Sequence, residues 1–361
     1  MTPKEKAILV SIGSARIDEE LLATIPKTRA TAGPGTGGSS VFIRSGAHRV
    51  RLSLTNESPI TIVPADHGVE VLRDDTLITP GFLEPALCHC PEQAYITISE
   101  RCIYDCRFCP VPKLSGEIKT TDSVIALVDE ASSRGTVHAI SLTSGVAESP
   151  EREVARTASI VRILRERYDL PIGVSVYPTS TSSEILASAG ADEIKYNVET
   201  MDPGIFSRVC PGLSLRSIIE SLEQAVDIFG KNRVFSNFII GLGESDRCVR
   251  NGVTELATRG VIPIIRPISA SPLRAGEITV IRPSPDRLLR LARMQKEILC
   301  DHDLDCRVAQ TCAFHVRDVI SPRSGICDDR IPLQGRFPHG KEVCSPLLVA
   351  RIVPTQLLNE S

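Results

Sequence analysis

The stretch that decides the fold is Tyr95-Ile-Thr-Ile98, followed by Glu100-Arg-Cys-Ile-Tyr-Asp-Cys-Arg-Phe-Cys-Pro110. The first run is strand-like, and the second carries three cysteines at the spacing C-x₃-C-x₂-C: Cys102, Cys106 and Cys109. Three thiolates on one tight loop can ligate three irons of a cubane [4Fe–4S] cluster and leave the fourth iron open to a ligand that is not protein. A zinc knuckle is the alternative, but the upstream pair Cys88 and Cys90, spaced as C-x-C, suits its four-ligand geometry poorly.

Size, charge and cysteine content set the class of protein. At 361 residues the chain is longer than a usual single domain, although α/β barrels commonly reach this length. With 41 basic and 44 acidic residues, a net charge of −3 predicts neither nucleic acid nor an anionic membrane as an obligatory partner. The apolar run 7–10 is too short for a signal-peptide core, so twelve cysteines favour reduced thiols or metal ligands over disulfides. We therefore predict a soluble, cytoplasmic and oxygen-sensitive protein.

Residues 1–90 predict a small β-rich domain. Apolar and polar residues alternate in three runs that turn residues separate: 41–44, 49–54 and 60–63. The segment 31–40 contains four glycines and a proline, so it is a loop. It lacks the Lys-Ser/Thr of a P-loop, which favours a plain surface loop over a phosphate-binding one.

From residue 91 the pattern changes to alternating strands and helices, which is typical of a parallel sheet. Strand-like runs occupy 95–98, 137–142, 172–177, 193–198, 234–240 and 262–268. Helical runs lie between them at 122–134, 152–168, 183–189, 217–229 and 248–259. The predicted fold is α/β: a partial (β/α)6 TIM-like barrel at 91–275. The active site of such a barrel lies at the carboxyl ends of its strands, where the cysteine loop stands. Residues 276–361 predict one helix, 286–299, and an irregular extension rich in cysteine and arginine.

The cysteine loop and four strand ends, in this order, resemble the radical S-adenosylmethionine (SAM) superfamily. Those strand ends are Ser141-Leu-Thr-Ser-Gly145, Tyr196-Asn-Val-Glu-Thr200, Ile239-Ile-Gly-Leu-Gly-Glu244 and Arg266-Pro-Ile-Ser-Ala270. The resemblance implies a [4Fe–4S] cluster whose open iron chelates the amino and carboxylate groups of SAM. It further implies that one electron from the cluster cleaves SAM to methionine and a 5′-deoxyadenosyl radical, which removes a hydrogen atom from an unactivated carbon.

The same resemblance implies particular SAM contacts. Thr143-Ser144-Gly145 stands where the family has a Gly-Gly-Glu-like stretch that holds the SAM amino group, although this chain departs from that pattern. Glu199 is similar to the acidic residue that accepts hydrogen bonds from the ribose hydroxyls. The bulge at Ile239 and Gly241 would lie against the adenine. The remaining implied contacts are the aromatic Phe108 before the last cysteine and the backbone at Ser269.

Three functional hypotheses follow. The region 90–300 resembles the biotin and lipoyl synthase-like branch, and the layout is also similar to methanogen enzymes that C-methylate a glutamine or arginine of methyl-coenzyme M reductase. Cobalamin-dependent C-methylation of a peptide or protein is slightly favoured, although the corrinoid motif Asp-x-His-x-x-Gly is absent. Sulfur insertion into, or rearrangement of, a small cofactor precursor is the alternative, and a non-catalytic iron–sulfur or zinc protein is the third. An enzyme of this kind needs an electron donor such as ferredoxin or flavodoxin.

The cysteines near the carboxyl end leave a second metal site open. Five cysteines and two histidines could hold another cluster or zinc, but their spacing matches no compact motif: Cys300, Cys306, Cys312, Cys327, Cys344, His302 and His315.

Overall fold

The structure is a computed structural model that describes residues 1–24, 40–46, 48–87, 89–305 and 311, with only the backbone described at 89 and 90. Helix α1 (Pro3–Ile12) opens the chain. It begins at a capping box in which Thr2 and Glu5 satisfy each other's backbone N–H groups. The sequence prediction of a β-rich domain over 1–90 included no helix here, and the capping box is the signal that marks it.

A closed barrel of six strands follows α1. Its strands are β1 (Ser14–Ile17), β2 (Ser40–Ser45), β3 (His48–Leu54), β4 (Ile60–Ala65), β5 (Gly68–Arg73) and β6 (Thr76–Glu84), with the short helix α2 (Glu19–Ala23) after β1. They are paired in the order β1-β3-β2-β6-β5-β4, and β1 closes the ring against β4. Val50, Leu52, Ile60 and Ile62 are fully buried, as the alternating pattern requires. Closure leaves this barrel without the open edges that would pair with another chain.

The second sheet has seven strands in the order β13-β12-β11-β10-β9-β8-β7. They are β7 (His89–Cys90), β8 (Gln93–Thr97), β9 (Ala139–Thr143), β10 (Ile172–Ser175), β11 (Glu193–Lys195), β12 (Val234–Ile240) and β13 (Ile262–Pro267). β7 is antiparallel to β8, and the other six strands are parallel. The helices are α3 (Thr121–Arg134), α4 (Pro150–Arg167), α5 (Ser182–Ser188), α6 (Pro203–Val209), α7 (Leu215–Phe229), α8 (Asp246–Thr258) and α9 (Pro285–Asp301). The predicted partial (β/α)6 TIM-like barrel is confirmed.

The two faces of this sheet differ in chemistry. The outer face packs on the helices: the Tyr196 hydroxyl, for example, lies 2.7 Å from the Ser182 hydroxyl at the start of α5. The face opposite the helices, called the inner face below, carries polar residues beside apolar ones. In register on adjacent strands, it carries Thr143, Ser175 and Lys195 side by side. Hydroxyl and charged groups there suit a polar ligand more than a packed apolar core.

Helix α9 and the segment before it connect the two barrels, and all described residues belong to one compact unit. α9 packs on both α1 and α8. The Arg282 guanidinium donates to the carbonyls of Ser11 (2.7 Å), Val10 (2.6 Å) and Ile268 (2.7 Å). The predicted helix at 286–299 is thus confirmed within α9. The domain boundaries 1–90, 91–275 and 276–361 stay a prediction, and the glycine-rich loop, apart from Ser40, lies outside the described residues.

Within the part of the chain that the structure describes, no helix combines the length and apolar character needed to cross a membrane.

Candidate functional site

The cysteine loop begins at the carboxyl end of β8, as the sequence predicted. The Cys109 backbone N–H donates to the Cys106 carbonyl (3.0 Å), which closes a turn inside the loop. Two further backbone bonds fix the loop to its neighbours: Ile103 donates to Val146 after β9 (2.7 Å), and Arg107 donates to Val209 at the end of α6 (2.8 Å). The loop is therefore held by two other βα connections of the same barrel.

The three cysteine sulfurs of the loop lie in a setting that fits an iron–sulfur cluster. All three thiols are free and partly buried, and their charges interact with one another. Against the effect of burial, backbone N–H groups of Val146 and Tyr104 lower the pKa of the Cys102 thiol, and that of Val111 lowers the pKa of the Cys109 thiol. Burial raises the pKa of the Cys109 thiol to about 12, and metal binding is what deprotonates such a thiol. N–H donors to cysteine sulfur are a recurring feature of cluster sites, so this donor set suits a [4Fe–4S] cluster.

Arg274, on the segment after β13, clamps the cysteine loop. Its side chain is almost fully buried, and its Nε donates to the Cys109 carbonyl (2.7 Å). Its Nη1 also forms ion pairs with Asp105 in the loop (2.7 Å) and with Glu277 (2.9 Å). Glu277 pairs in turn with Arg107 (3.3 Å). The arginine and its two carboxylate partners thus connect the last strand of the barrel to the loop after the first.

The segment after β9 packs tightly against the cysteine loop. An added Cβ at Gly145 would collide with the carbonyl oxygen of Arg101, so only glycine fits there. The Ser144 hydroxyl donates to buried Glu153 (2.6 Å) and accepts from the Ser99 N–H (3.0 Å). Thr143 is the last residue of β9 and lies on the inner face. The predicted Thr143-Ser144-Gly145 segment is therefore beside the cysteine loop, and its serine side chain serves to join the two loops.

Glu199 lies beyond the end of β11 in the left-handed region, with φ 58°. Its backbone N–H donates to the Asn237 carbonyl (3.0 Å), and its own carbonyl accepts from Ile239 (2.7 Å), which holds this conformation. Burial raises the pKa of its carboxyl to about 7, against the opposing charges of Lys195 and Arg266. Its charge also acts on the Cys109 thiol, which places the predicted ribose-binding carboxylate and the cysteine loop in one region.

The bulge after β12 is built on one buried carboxylate. Glu244 accepts from the backbone N–H groups of Gly241 and Leu242, each at 2.8 Å, and pairs with Arg287 (3.0 Å). Gly241 has φ 112°, and an added Cβ would collide with the Ile281 carbonyl. Its glycine is thus required by both conformation and packing. The bulge predicted to face adenine is a rigid structural feature.

The other predicted contacts lie around the same end of the barrel. Phe108 is buried in the main core, and Ile239 lies on the inner face beside Arg266. Ser269 is exposed just past β13, and its hydroxyl lies 3.5 Å from the Arg282 guanidinium.

Sequence reasoning missed several residues of the site. By its sequence context Cys210 is a packing residue, but its buried thiol interacts electrostatically with Cys106 and Cys109 of the cysteine loop. The sequence does not single out Arg274, and it includes Glu244 only as the last residue of a strand-end motif. Long-range contacts define the roles of Cys210 and Arg274, whereas Glu244 binds backbone N–H groups two and three residues before it.

The second metal site predicted near the carboxyl end lies largely outside the described residues, which include only Cys300 and His302 of its candidates. Cys300 is exposed, and both ring nitrogens of His302 lie within hydrogen-bond distance of Ile298 or Thr258. Among the side chains that the structure describes, no three of His, Cys, Asp or Glu converge closely enough to hold a single metal ion.

A partial barrel of six parallel strands with a three-cysteine loop after its first parallel strand is the arrangement that the resemblance to radical SAM enzymes implies. Residues 96–253 match the family model of the radical SAM superfamily, so the chain carries a radical SAM domain. The superfamily implies a [4Fe–4S] cluster and SAM as the cofactors of this domain.

Two curated relatives are similar to part of the chain. Bacteriochlorophyllide c C-7(1)-hydroxylase of Chlorobaculum limnaeum is 28% identical over 170 residues, 43% of this chain and 41% of that protein. Ribosomal protein uS12 methylthiotransferase RimO of Prochlorococcus marinus (strain MIT 9312) is 24% identical over 188 residues, 50% of this chain and 38% of that protein. The chain thus spans about two fifths of the length of these relatives.

Solved structures share the fold at low sequence identity. Methylornithine synthase (PylB) has a TM-score of 0.50 at 15% identity, covering 64% of this chain and 68% of its own. The FeFe-hydrogenase maturase HydG from Carboxydothermus hydrogenoformans also has a TM-score of 0.50 at 15% identity, covering 62% of this chain and 55% of its own.

Proposed function

We propose that this radical SAM enzyme functionalises an unactivated C–H bond of a substrate held against the inner face of its barrel. One observation carries the proposal: the cysteine loop after β8 and Glu199 after β11 act on each other electrostatically at the same end of one sheet. When bound, the cluster supplies the electron that splits SAM into methionine and a 5′-deoxyadenosyl radical.

The residues of this chain would bind and position the reactants. The Glu199 carboxylate can accept both ribose hydroxyls of SAM, because two oxygens match a vicinal diol. Arg274 would keep the cysteine loop in place, and the close packing at Gly145 and Gly241 would limit the access of water to the radical. The electron would come from a donor such as ferredoxin or flavodoxin, which we propose as the partner protein.

Single substitutions of the loop cysteines test the proposal. Cys102→Ala, Cys106→Ala and Cys109→Ala should each lose iron, sulfide and 5′-deoxyadenosine formation together in anaerobically reconstituted protein. Cys248→Ala is the matched control, because Cys248 lies on α8 with its thiol toward Asp202, and it should keep all three. A loop variant that retains a full cluster and full SAM cleavage would contradict the assignment.

For the overall reaction we propose cobalamin-dependent C-methylation of a peptide or protein residue. Its support is the sequence: the cysteine motif that lipoyl synthases use for a sacrificial cluster is missing upstream of the loop, and the layout is similar to that of C-methylating enzymes. A corrinoid spectrum after anaerobic purification with cobalamin would support this reaction, and failure to bind any corrinoid would exclude it.

Sulfur transfer is the second candidate, because one of the curated relatives is a methylthiotransferase. A sulfur-inserting enzyme needs a second cluster as its source, so it should contain about eight irons per chain instead of about four. Iron and sulfide counts on the reconstituted protein therefore separate the two candidates.

A further inference from the structure

Arg266 is a charged residue at the site whose guanidinium forms no hydrogen bond or ion pair with the residues that the structure describes. It lies near the carboxyl end of β13 on the inner face, paired in register with Ile239 of β12. Its Nε is buried and without a hydrogen-bond partner, and among the described residues its guanidinium makes no hydrogen bond or ion pair. In contrast, the nearby Arg274, Arg282 and Arg287 each have several partners.

Among the described residues, a second buried polar group without a hydrogen-bond partner lies on the neighbouring strand. Asn237 of β12 is on the same face, and its Oδ1 is buried without a partner. The backbone of Asn237 is fully used, because its N–H faces the Asn197 side chain (3.3 Å) and its carbonyl accepts from Glu199 (3.0 Å). Only the amide of Asn237 is therefore left, and rotation by 180° can turn its N–H₂ toward a ligand. Buried polar groups without partners are costly, so the Arg266 Nε–H and, after that rotation, the Asn237 N–H₂ are donors on one face that a ligand can satisfy.

The charged residues at this end of the barrel indicate the charge of the ligand that would bind there. Arg266 and Lys195 are both cationic and both act on Glu199. Glu199 is the carboxylate that we propose for the SAM ribose, and it forms no ion pair with Arg266 in the described structure. A guanidinium without an ion-pair partner presents a planar fork of N–H donors, which matches carboxylate and phosphate groups.

We propose that Arg266, together with the Asn237 amide, binds an oxyanion group of the substrate, a carboxylate or a phosphate. This inference deepens the proposed function and rests on it, because it places an anionic substrate on the inner face beside SAM. The only carboxylate of SAM is assigned by the superfamily resemblance to the open iron at the cysteine loop. Arg266 is thus left for the second reactant, and the anion would fix which of its C–H bonds points toward the radical.

Anion binding tests the inference without knowledge of the substrate. Inorganic phosphate and succinate would be titrated calorimetrically into the reconstituted enzyme and into Arg266→Gln and Arg266→Lys. We expect Arg266→Gln to bind the preferred anion about 10- to 100-fold more weakly, the range for hydrogen bonds to a charged group. Arg266→Lys should bind with intermediate affinity. Arg216→Gln is the control, because Arg216 is exposed on α7, and it should bind like the wild type.

Each outcome decides the question. Phosphate binding without succinate binding assigns a phosphate group, and the reverse assigns a carboxylate. Equal affinity in wild type and Arg266→Gln, no binding of either anion, or displacement of the anion by SAM would overturn the inference.

Thermal stability provides a further readout. Removal of an unpaired guanidinium should leave the melting temperature unchanged or raise it, whereas loss of a structural arginine would lower it. 5′-Deoxyadenosine formation by the wild type is measured separately, so failure of the radical SAM activity is distinguishable from failure of the anion site.

Discussion

Glu199 has two features that cost stability. A non-glycine residue at φ 58° is strained, and a carboxyl whose pKa burial raises to about 7 is expensive to ionise. Neither feature strengthens the core, because the residue lies in a loop past the end of β11. Strained and pKa-shifted residues cluster at functional sites, so this combination supports a role in ligand binding.

Replacement of Glu199 by Gln should weaken SAM binding. Glutamine keeps the size of the side chain but loses the charge-assisted acceptance of two hydroxyl groups, worth about 1.5–3 kcal/mol. We expect the Kd for SAM to rise about 10- to 100-fold in equilibrium titrations, with the iron content unchanged. Glu220→Gln, on the exposed face of α7, is the control. An unchanged Kd would show that Glu199 does not contact SAM.

The pH dependence of SAM binding and of stability should both report on Glu199. Its carboxyl has a pKa of about 7 in the free protein, and the ribose is bound by the ionised form, so the affinity for SAM should rise between pH 6 and 8.

For stability, the pKa of Glu199 in the folded protein is above its unfolded value of 4.5. Its contribution to stability is therefore full below pH 4.5 and is lost as the pH rises through 7, by up to about 3 kcal/mol. Glu199→Gln should thus be more stable than wild type at pH 8 but not at pH 4.5, and its SAM affinity should not change with pH. Parallel pH profiles for both proteins would exclude this account.

The sequence predicts part of this residue-scale description. Cys102, Cys106 and Cys109 are recognisable by spacing alone, and Glu199 by its place after a strand. The left-handed conformation of Glu199 and the lack of a described partner for the Arg266 guanidinium are not predictable from the sequence. Both result from the pairing of β11, β12 and β13. This pairing joins residues 27 to 40 positions apart, and no local pattern contains it.

At the scale of elements, the cysteine loop depends on the segment after β13. Arg274→Met should remove the hydrogen bond to the Cys109 carbonyl and leave Asp105 and Glu277 without their shared cation. We expect faster cluster loss, measured as iron retained after gel filtration, and an altered electron paramagnetic resonance signal of the reduced cluster. Arg274→Lys should restore part of the retention, because it keeps the charge. The control is Arg290→Met, since Arg290 is exposed on α9 and pairs with Asp246 rather than with the cysteine loop. Equal retention in wild type and Arg274→Met would exclude the clamp.

The elements of the βα region were predictable because their apolar periods are clear. The predicted strand 234–240 coincides with β12, and the other five overlap their observed strands. The amino-terminal barrel was harder. β6 contains Pro80 and Gly81, which the sequence reads as turn residues, yet Gly81 lies where an added Cβ would press on the Arg44 carbonyl of β2. Tertiary packing thus places a glycine inside a strand.

At the scale of the whole molecule, Arg282 joins the two barrels. It binds two carbonyls at the end of α1 and one at the end of β13, and Gly13 leaves the space for its guanidinium. Arg282→Gln would leave carbonyls without partners, which predicts a loss of about 3 kcal/mol in the free energy of unfolding. Denaturant titration would measure this loss, with Arg216→Gln as the control. A change below about 0.5 kcal/mol would show that α1 and the barrel associate without this residue. The predicted domain boundary at residue 275 did not include this contact. Arg282 and its acceptors on α1 lie about 270 positions apart in the sequence.

The overall reaction is tested by its products. If the enzyme is a cobalamin-dependent methylase, one SAM supplies the radical and another supplies the methyl group. Product formation should then release 5′-deoxyadenosine and S-adenosylhomocysteine in comparable amounts, and only when cobalamin is present. Sulfur insertion without methyl transfer would release 5′-deoxyadenosine without S-adenosylhomocysteine and would consume cluster sulfide. Methylthio transfer would release both products, but it would consume cluster sulfide and would not require cobalamin. Candidate substrates can be chosen by the anion site at Arg266: peptides or small molecules with a carboxylate or phosphate, each assayed beside its neutral amide or dephosphorylated counterpart. Turnover without S-adenosylhomocysteine would exclude methylation and leave the radical SAM assignment unaffected, because the cysteine loop and Glu199 serve both reactions.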